Sequence, residues 1–398
     1  MKILIVNKFL YERGGAEVHA INLGELLRRQ GHEVRFYAMR HPRNIPDEAD
    51  ERFFAEEVSF FQSSVTQQVR AALRLFGNGI KQHYTRLLDE FQPDVVHLHN
   101  VHSYLAPSVA KLAHERGRKV VWTMHDYKQL CPSYLCLRNG AVCERCFTDK
   151  WNVVRHRCMK QSLAASLLAY AEARYWSREK LLRWTDAFIC PGSFLADKLR
   201  QEGYTPEKLY VVGNFISREK AECFHRIAPE RQEQAYAYIG RLSEEKGIEQ
   251  LLRAAVGLPY KLYVTGSGPM EERLKRQYAS ENIVFTGHLS AEEVVRLLKQ
   301  VRFSVMPSVC YENNPLGVIE SLCCGTPVLG RRIGGIPELL DTSAYNRAFT
   351  GDDELASAIE GMFADAVHVN REQLSVRSNA LFSEETYYKQ WMYIIKSL

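Results

Sequence analysis

The chain has 398 residues, of which 46% are apolar and 25% are charged, and its formal net charge is +5. This composition is typical of a globular protein, and the length predicts two or three domains. No apolar run approaches the roughly 20 residues that span a bilayer. The chain starts on a strand-like segment, Lys2 to Val6, with no signal peptide ahead of it. We therefore expect a cytoplasmic protein. In that location its ten cysteines are expected to be thiols or metal ligands in preference to disulfides.

Charge is distributed unevenly along the chain. Residues 1–213 carry 31 Lys and Arg against 23 Asp and Glu, a net charge of +8, whereas the remainder carries 21 against 24, a net charge of −3. Ordinary scatter explains this difference as well as function does, since both halves contain many acids. The functional interpretation is that the first half of the chain faces phosphate groups or an anionic membrane surface.

Short β-rich apolar runs alternate with helical patterns along most of the chain. In the first half these runs begin with Ile3 to Val6 and end with Leu209 to Val212. In the second half they begin with Ala237 to Ile239 and end with Pro327 to Leu329. Strands that alternate with helices favour parallel sheets with crossover helices. The sequence therefore predicts an α/β protein with two Rossmann-like, doubly wound domains.

The alternation lapses in the charged segment from Ser217 to Gln234, which predicts a domain boundary nearby. We place an N-terminal domain at 1–213, with a cysteine-rich insertion at 131–158, and a C-terminal domain at 214–383. Residues 384–398 have the pattern of an aromatic-rich helix that can pack back on the first domain. Two open sheets of this kind that face each other bind ligands in the cleft between them, at the carboxyl ends of their strands.

Glycines and cations follow several of the predicted strands. Gly14 and Gly15 open a helix after the first strand, where their backbone can approach a phosphate, although a plain tight turn also explains the pair. Arg241 and Lys246 follow the first strand of the second half, and together they can hold both phosphates of a diphosphate. The alternative interpretation of these two cations is a solvated helix start with an Arg–Glu pair. The helix dipole disfavours cations at the N-terminal end of a helix, so their presence there indicates phosphate binding.

The segment from Tyr311 to Glu320 places two carboxylates, Glu312 and Glu320, eight positions apart. An Asn-Asn-Pro run cannot continue a helix, whereas the residues from Gly317 to Cys324 can open one. Free backbone N–H groups and a positive helix end therefore lie between the two acids. This arrangement suits an anionic ligand that carries hydroxyls.

The second half contains a series of motifs: Gly240-Arg241-Leu242 with Lys246-Gly247, Gly266-Ser267-Gly268-Pro269, Glu312 to Glu320, Gly325-Thr326-Pro327-Val328 and Gly334-Gly335-Ile336-Pro337-Glu338. In their order and spacing, these motifs resemble the signatures of the family-four retaining glycosyltransferases of GT-B fold. The resemblance covers the whole second half, and the first half is similar more loosely through Gly14 to Glu17 and His125-Asp126. The fold implied is GT-B, with two Rossmann-like domains that face each other across a cleft.

The resemblance implies a role for each matching position. Arg241 and Lys246 would neutralise the donor diphosphate, Glu320 would bind the ribose hydroxyls, and Glu312 would hold a hydroxyl of the donor sugar. His125 would lie beside the transferred sugar. The other positions that would contact the donor are Gly14, Gly15, Gly268, His288, Leu289, Asn314, Leu316 and Gly317. Among these, the residues of the 314–317 segment would offer backbone amides to phosphate, and those of the 268–289 segment would border the base.

The activity implied is transfer of a hexose or N-acetylhexosamine from a UDP- or GDP-linked donor to a sugar or lipid-linked acceptor in surface polysaccharide biosynthesis. The acceptor would attack from the face that the nucleotide leaves, with retention of anomeric configuration. No catalytic metal is expected, because no Asp-x-Asp motif occurs and Arg241 and Lys246 lie where phosphate charge develops. The alternatives are a GT-B nucleotide-sugar epimerase and a catalytically silent nucleotide-sugar-binding subunit.

Half of the ten cysteines fall in the insertion at 131–158. Four of them have the spacing of metal ligands: Cys131, Cys143, Cys146 and Cys158. Four thiolates can form a tetrahedral structural zinc site, for which Cys136 would be spare. A branch of the family that the motifs resemble has a similar insertion after its His-Asp pair. A disulfide, free thiols and an iron–sulfur cluster stay open as alternatives.

Two stretches mix basic and aromatic residues, Arg70 to Arg86 and Arg174 to Trp184. A helix with one basic and one apolar face can lie on anionic lipid, although the apolar face of such a helix is more often core. A peripheral position on the inner face of the membrane is therefore one prediction. Nucleic acid is not expected as a partner, because no recognised binding module appears and the second half is slightly acidic.

Overall fold

A computed structural model describes residues 1–46, 48–60, 64–228, 232–365 and 368–398 of the protein. These residues divide into two compact units. The first unit contains Met1–Cys136, Cys143–Val212 and Tyr388–Leu398. The second unit contains Leu137–Val142 and Gly213–Tyr387. Most of the chain on each side of Val212 therefore folds around its own core.

The strands are short, and most are rich in Val, Ile, Leu and aromatic residues, as buried parallel strands require. In chain order they are β1 (Lys2–Val6), β2 (Glu33–Tyr37), β3 (Val95–Leu98), β4 (Lys119–Thr123), β5 (Leu137–Arg138), β6 (Ala141–Val142), β7 (Ala187–Cys190), β8 (Leu209–Val211), β9 (Ala235–Ile239), β10 (Lys261–Thr265), β11 (Ile283–Gly287), β12 (Phe303–Met306), β13 (Val328–Arg331) and β14 (Arg347–Phe349).

Helices connect most of these strands. In chain order they are α1 (Gly15–Arg29), α2 (Glu48–Glu51), α3 (Val65–Arg74), α4 (Lys81–Phe91), α5 (Ser108–His114), α6 (Arg145–Thr148), α7 (Asn152–Arg155), α8 (Leu163–Tyr175), α9 (Arg178–Trp184), α10 (Ser193–Gln201), α11 (Arg218–Arg226), α12 (Ile248–Ala255), α13 (Glu271–Tyr278), α14 (Ala291–Gln300), α15 (Leu316–Cys323), α16 (Ile336–Leu340), α17 (Leu355–Asp365), α18 (Arg371–Leu381) and α19 (Glu384–Ser397). Two short 3-10 turns, Pro206–Lys208 and Glu244–Lys246, complete the described regular structure.

The first unit is built on a parallel sheet with the strand order β2-β1-β3-β4-β7-β8. The strand order reverses between β1 and β3, so the loops that follow these two strands diverge and leave a crevice at their carboxyl ends. Ile5 in the middle of β1 pairs with Phe36 on one side and His97 on the other. The loop after β1 leads directly to Gly14 and Gly15 at the start of α1.

The second unit repeats this architecture with the parallel order β11-β10-β9-β12-β13-β14. Here the order reverses between β9 and β12, which places a second crevice at their carboxyl ends. One core of this unit packs on Tyr236 and Phe303, whose rings stack with centroids 5.3 Å apart. A second core includes Ile319 and Leu322 of α15. The prediction of an α/β protein with two doubly wound sheets is confirmed.

The second unit begins at Gly213, and the hairpin of β5 and β6 belongs to it although the hairpin lies within the cysteine-rich insertion. Much of the segment predicted to lack periodicity, Ser217 to Gln234, is the helix α11. The side chain of Ser217 caps this helix, and Phe224 is buried in the second core.

The last helix contributes an aromatic contact to the first unit. Trp391 is fully buried, and its indole N–H donates a hydrogen bond to Nδ1 of His97, 3.2 Å away. His97 must then carry its proton on Nε2, which lies 2.8 Å from the hydroxyl of Thr123. None of the described helices has the length and apolar character needed to cross a membrane.

Candidate functional site

Three loops of the second unit gather at one edge of its sheet. They follow the neighbouring parallel strands β9, β10 and β12, and they contain Gly240 to Gly247, Gly266 to Gly268, and Pro307 to Pro315. Since the carboxyl ends of parallel strands lie on the same edge, these loops surround the crevice at the reversal of strand order. Most of the second-unit residues that the sequence nominated lie on these loops or on α15, which follows the third.

Two of these loops are held together by backbone contacts that only glycine permits. The N–H of Leu242 donates to the carbonyl of Ser267 over 2.9 Å. A Cβ on Gly268 would lie 2.3 Å from the carbonyl oxygen of Leu242, and one on Gly266 would lie 2.0 Å from that of Gly240. Gly266 also has φ = +126°, a conformation that other residues rarely adopt. The glycines therefore set the position of the loop that carries Arg241.

Arg241 and Lys246 occupy different surroundings on the β9 loop. Arg241 is exposed, and its guanidinium has no ion-pair partner among the residues that the structure describes. The hydroxyl of Tyr238 donates to its backbone carbonyl over 2.7 Å, which anchors the main chain beneath the side chain. Lys246 is half-buried and pairs with Glu312. The two cations therefore share one loop, but only Lys246 is tied to another loop.

The carboxylate of Glu312 receives two partners on the same oxygen. Nζ of Lys246 lies 2.6 Å from Oε1, and the hydroxyl of Ser308 donates to Oε1 over 2.7 Å. Burial disfavours the charged form of Lys246, but the adjacent Glu312 carboxylate outweighs it, so the pKa of Lys246 is raised above its ordinary value. Lys246 is therefore charged at neutral pH, and it has further N–H donors besides the one it gives to Glu312.

The loop that carries Glu312 is fixed from both sides. The N–H of Gly335 donates to the carbonyl of Glu312 over 2.6 Å, and a Cβ on Gly335 would lie 1.8 Å from the carbonyl oxygen of Asn313. Asn214 donates from its backbone N–H to Oδ1 of Asn314 and from Nδ2 to the carbonyl of Asn314, both over 2.7 Å. Backbone and side-chain acceptors of Asn314 are thus used to hold the loop.

Helix α15 begins at Leu316, one residue earlier than the sequence predicted, with Pro315 at its N-cap in an extended conformation. The N–H groups of Leu316 and Gly317 precede the first hydrogen bonds within the helix and point out of its start. One turn later, Oε1 of Glu320 accepts a hydrogen bond from Nζ of Lys220 on α11. The two carboxylates are therefore each paired with a lysine, and the open helix start lies between them in the chain.

Gly268, His288 and Leu289 follow the outer strands of the second unit. His288 is exposed after β11, whereas Leu289 is half-buried against the core around Ala235 and Val301. In the first unit, Gly14 is the N-cap of α1 and Gly15 is its first residue. Gly14 has an extended backbone that any residue can adopt. These five residues therefore lie in segments that follow the carboxyl ends of β1, β10 and β11.

His125, which follows β4, belongs to a cluster of histidines in the first unit. Its Nε2 lies 3.0 Å from Nδ1 of His99, which follows β3, and its ring centroid lies 5.2 Å from that of His19. Burial lowers the pKa of His19 to about 4 and that of His97 to about 3. Burial and the neighbouring imidazoles also hold the pKa values of His99 and His125 well below 6.5. His125 is therefore a neutral hydrogen-bonding group at neutral pH.

The cysteines of the insertion are free thiols. The thiol of Cys131 contacts those of Cys136 and Cys146, and it lies 3.1 Å from the hydroxyl of Ser133. These hydrogen bonds, that of Cys136 first, hold the pKa of Cys131 well below its ordinary value. Cys143 instead donates its N–H to the carbonyl of Cys136 over 2.8 Å. Cys136, expected to be spare, therefore lies inside the cluster.

The side chains of these cysteines do not form a preorganised set of metal ligands. Within the described part of the chain, no group of three or more His, Cys, Asp or Glu side chains has the geometry to hold a metal ion. The donor set of thiols is nevertheless the type that zinc prefers. The zinc site thus stays a prediction.

Sequence reasoning missed three residues that hold the second-unit site: Lys220, Ser308 and Asn214. Lys220 and Asn214 each bond a residue one hundred positions away, and no local pattern indicates such a pair. Ser308 was the easier case, because it is a polar residue just after β12 and four positions before Glu312. A polar residue in that position is a signal for a site at a strand end.

The contact between Gly335 and the Glu312 loop can be tested by Gly335→Ala. Its added Cβ would overlap the carbonyl of Asn313, so the loop must move and the free energy of unfolding should fall by about 1–3 kcal/mol. Gly257→Ala is the matched control, because a Cβ there has nothing within 4 Å. Thermal unfolding of both variants is the measurement. Equal melting temperatures for the two variants would contradict the contact.

The buried histidines predict a pH dependence of stability. Their folded pKa values lie below the ordinary 6.5, so the unfolded chain binds more protons as the pH falls from about 6.5 towards about 4. Stability should therefore decrease over that window, by up to about 1.4 kcal/mol per pH unit for each histidine. Thermal unfolding at several pH values measures this slope. His99→Asn should reduce this slope, because it removes one of the buried imidazoles.

Comparison with known proteins gives two family matches. Residues 13–220 match the model described as Glycosyltransferase Family 4, and residues 233–365 match the one described as Glycosyl transferases group 1. An uncharacterised protein of the cps region of Klebsiella pneumoniae is 23% identical over 359 residues, which is 85% of this chain and 87% of that protein.

Other relatives match over about half of their length. A putative colanic acid biosynthesis glycosyltransferase, WcaL of Salmonella typhimurium, is 25% identical over 49% of this chain and 51% of its own. The alpha-monoglucosyldiacylglycerol synthase of Streptococcus pneumoniae is 25% identical over 50% of this chain and 49% of its own. For these relatives, the similarity does not extend to the whole protein.

Solved structures resemble the entire chain. Sucrose-phosphate synthase from Thermosynechococcus elongatus has a TM-score of 0.69 at 18% identity, covering 100% of this chain and 98% of the other. HepE from Anabaena, solved in complex with UDP-glucose, has a TM-score of 0.66 at 17% identity and covers 100% of both. At this identity the likeness shows the fold, which is GT-B. Because the first family match alone spans more than half of its residues, the chain belongs to Glycosyltransferase Family 4.

Proposed function

We propose that this glycosyltransferase moves a hexose or an N-acetylhexosamine from a nucleotide-sugar donor to a sugar or lipid-linked acceptor. The observation that carries the proposal is the pairing of Glu312 with Lys246 and of Glu320 with Lys220 on either side of an open helix start. This arrangement presents a carboxylate that can accept hydrogen bonds from hydroxyl groups at each end, and phosphate-binding groups between the two carboxylates. A nucleoside diphosphate sugar has the same order of groups.

The donor diphosphate would lie against Arg241, Lys246 and the start of α15. Arg241 offers a planar fork of donors, Lys246 offers a compact charge, and the amides of Leu316 and Gly317 point out of a helix start. The loops that carry these groups are held by the protein before negative charge develops on the departing diphosphate. They would supply the stabilisation without a catalytic metal.

Glu320 would bind the ribose. One of its oxygens is held by Lys220, which fixes the orientation of the carboxylate. The other oxygen can accept hydrogen bonds from the ribose hydroxyls. Lys220 would thus position Glu320 and need not contact the donor itself.

Glu312 would hold the donor sugar rather than attack it. Lys246 and Ser308 both bind the Oε1 atom, and they stabilise the negative charge that a nucleophile would have to donate. This favours a front-face reaction in which a departing phosphate oxygen takes the proton of the acceptor and the anomeric configuration is retained. His125, neutral because of its buried surroundings, would contribute a hydrogen bond to the transferred sugar.

The names of similar proteins support a role in surface polysaccharide or glycolipid synthesis. One relative is encoded in a cps region, another is a putative colanic acid glycosyltransferase, and a third is a glucosyldiacylglycerol synthase. HepE, a neighbour in fold, was solved with UDP-glucose. We therefore include UDP among the candidate nucleotides, beside GDP, and a cytoplasmic location stays a prediction.

Donor binding can be tested with two substitutions in the second unit. Glu320→Gln should weaken binding of the nucleoside diphosphate about 10- to 100-fold, because it removes a charged acceptor for ribose hydroxyls. Lys246→Ala should lower turnover by about 10²- to 10³-fold, because it removes charge stabilisation of the leaving group. Thermal shift with UDP, GDP and ADP identifies the base, and titration of the best nucleotide measures affinity.

The matched control is Glu272→Gln, an exposed carboxylate at the start of α13. It should bind and turn over as the unaltered chain does. Release of free nucleoside diphosphate coupled to acceptor glycosylation separates a transferase from an epimerase, which regenerates a nucleotide sugar. Unchanged kinetics in both site variants would contradict the assigned donor site.

Structural zinc in the thiol cluster has its own test. The sequence nominated Cys131, Cys143, Cys146 and Cys158, and these residues would hold the ion in a tetrahedral thiolate site. Metal analysis of the purified chain should then find about one zinc per chain, and Cys131→Ser should abolish it. Cys223→Ser, at a buried cysteine of α11, is the control and should retain the metal. Zinc-free protein purified without chelators would contradict the site.

A further inference from the structure

Helix α3 of the first unit presents an apolar stripe to the surface. Val65, Val69 and Leu73 are all exposed, and Val65 is exposed to 72%. Residues four apart in a helix differ by about 40° around its axis, so the three lie on one face. The buried residues of this helix, Ala71 and Arg74, lie on the opposite side. The apolar stripe of α3 therefore lies on its exposed side, away from the face that packs on the protein.

Helix α8 of the same unit has a second stripe of this kind. Leu163, Leu167 and Tyr175 are exposed at intervals of four or eight residues, with Leu163 exposed to 48%. The buried side of α8 is formed by the residues Ser166, Ala169 and Glu172. As in α3, the exposed apolar face lies opposite the packed face. Scattered exposed apolar residues are common, but two regular stripes in one unit are not explained by scatter.

The two helices contact each other near their carboxyl-terminal ends. The rings of Phe76 and Tyr175 lie at right angles with centroids 5.2 Å apart. The indole N–H of Trp176 donates to the carbonyl of Leu75 over 2.7 Å. These contacts join the carboxyl-terminal end of α3 to that of α8. We call Val65, Val69, Leu73, Leu163, Leu167 and Tyr175 the apolar surface.

The chain around α8 is strongly basic. Residues 151–184 contain seven Lys and Arg against two Asp and Glu, a net charge of +5. One of the two acids, Glu172, is buried and pairs with Lys128 over 2.8 Å, so it does not offset the surface charge. Arg155, Arg157 and Arg174 are exposed, and no carboxylate of the described chain forms an ion pair with any of them. The α8 part of the apolar surface thus lies in a segment that carries unneutralised cations.

We propose that the apolar surface binds an anionic membrane. Its aliphatic side chains and the Tyr175 ring would enter the interfacial layer, while Arg155, Arg157 and Arg174 contact lipid phosphates. Apolar stripes flanked by cations match both the hydrocarbon boundary and the charge of such a layer. A second copy of the chain is disfavoured as occupant, because it would bring an equally basic segment into contact.

The apolar surface overlaps only partly with the two stretches that the sequence nominated for lipid. Arg74 and Trp176, which lie within those stretches, are buried and serve packing. The exposed apolar residues instead start earlier in each region, at Val65 and Leu163. Neither helix carries a residue assigned to the donor, so lipid binding and sugar transfer can be measured separately.

Vesicle flotation with the full chain tests the proposal. Vesicles of phosphatidylcholine with about a third phosphatidylglycerol should carry the protein at low ionic strength, and pure phosphatidylcholine should not. High salt should release it. Leu73→Gln with Leu167→Gln should weaken binding by at least about tenfold. Arg155→Gln with Arg174→Gln should weaken it by about fivefold for each cation removed.

The matched control is Val256→Gln with Val376→Gln, at exposed valines of the second unit. This variant should bind the anionic vesicles as the unaltered chain does. Circular dichroism confirms that every variant is folded. The proposal is overturned if the unaltered chain does not bind anionic vesicles, or if the leucine variant binds as well as the control. It is also overturned if the leucine variant dissociates a dimer in solution, since a second copy then covers the surface.

Discussion

The ion pair between Lys246 and Glu312 is the interaction on which the second-unit site depends. It joins the loop after β9 to the loop after β12, the two strands between which the strand order reverses. A half-buried lysine needs a partner to stay charged, and the carboxylate supplies it while Ser308 satisfies the same oxygen. Removing either charge would leave the other poorly solvated. One contact thus both shapes the crevice and keeps a cation available there.

Backbone geometry makes that pairing possible. Gly266 and Gly268 let the β10 loop touch the β9 loop, and Gly335 lets the chain after β13 support the loop of Glu312. In each case a Cβ would overlap a carbonyl oxygen, so the glycines are required by close approach of main chains. Asn214 completes the frame by holding Asn314 through two hydrogen bonds. Charged groups are therefore carried by loops with little freedom to move.

The first unit uses a different chemistry at its strand ends. Buried imidazoles follow β3 and β4, and their low pKa values make His125 a neutral partner rather than a cation. The positive charge of this half lies instead on the surface, around α7 and α8. Burial thus separates the two roles that basic residues have here: uncharged hydrogen bonding in the interior and electrostatic attraction outside.

The sequence by itself determined most of the strands, the doubly wound class and the loops that carry Arg241, Lys246 and Glu312, because hydrophobic period and turn residues are local signals. Only the tertiary structure decided which groups pair. Lys220 reaches Glu320 and Asn214 reaches Asn314 across one hundred residues, a distance over which no periodicity carries information. It likewise placed Cys136 against Cys131 and turned Val65 and Leu163 outward. Those contacts and exposures depend on how whole helices and strands pack together. Their packing is decided by apolar side chains along the whole chain and not by any local segment.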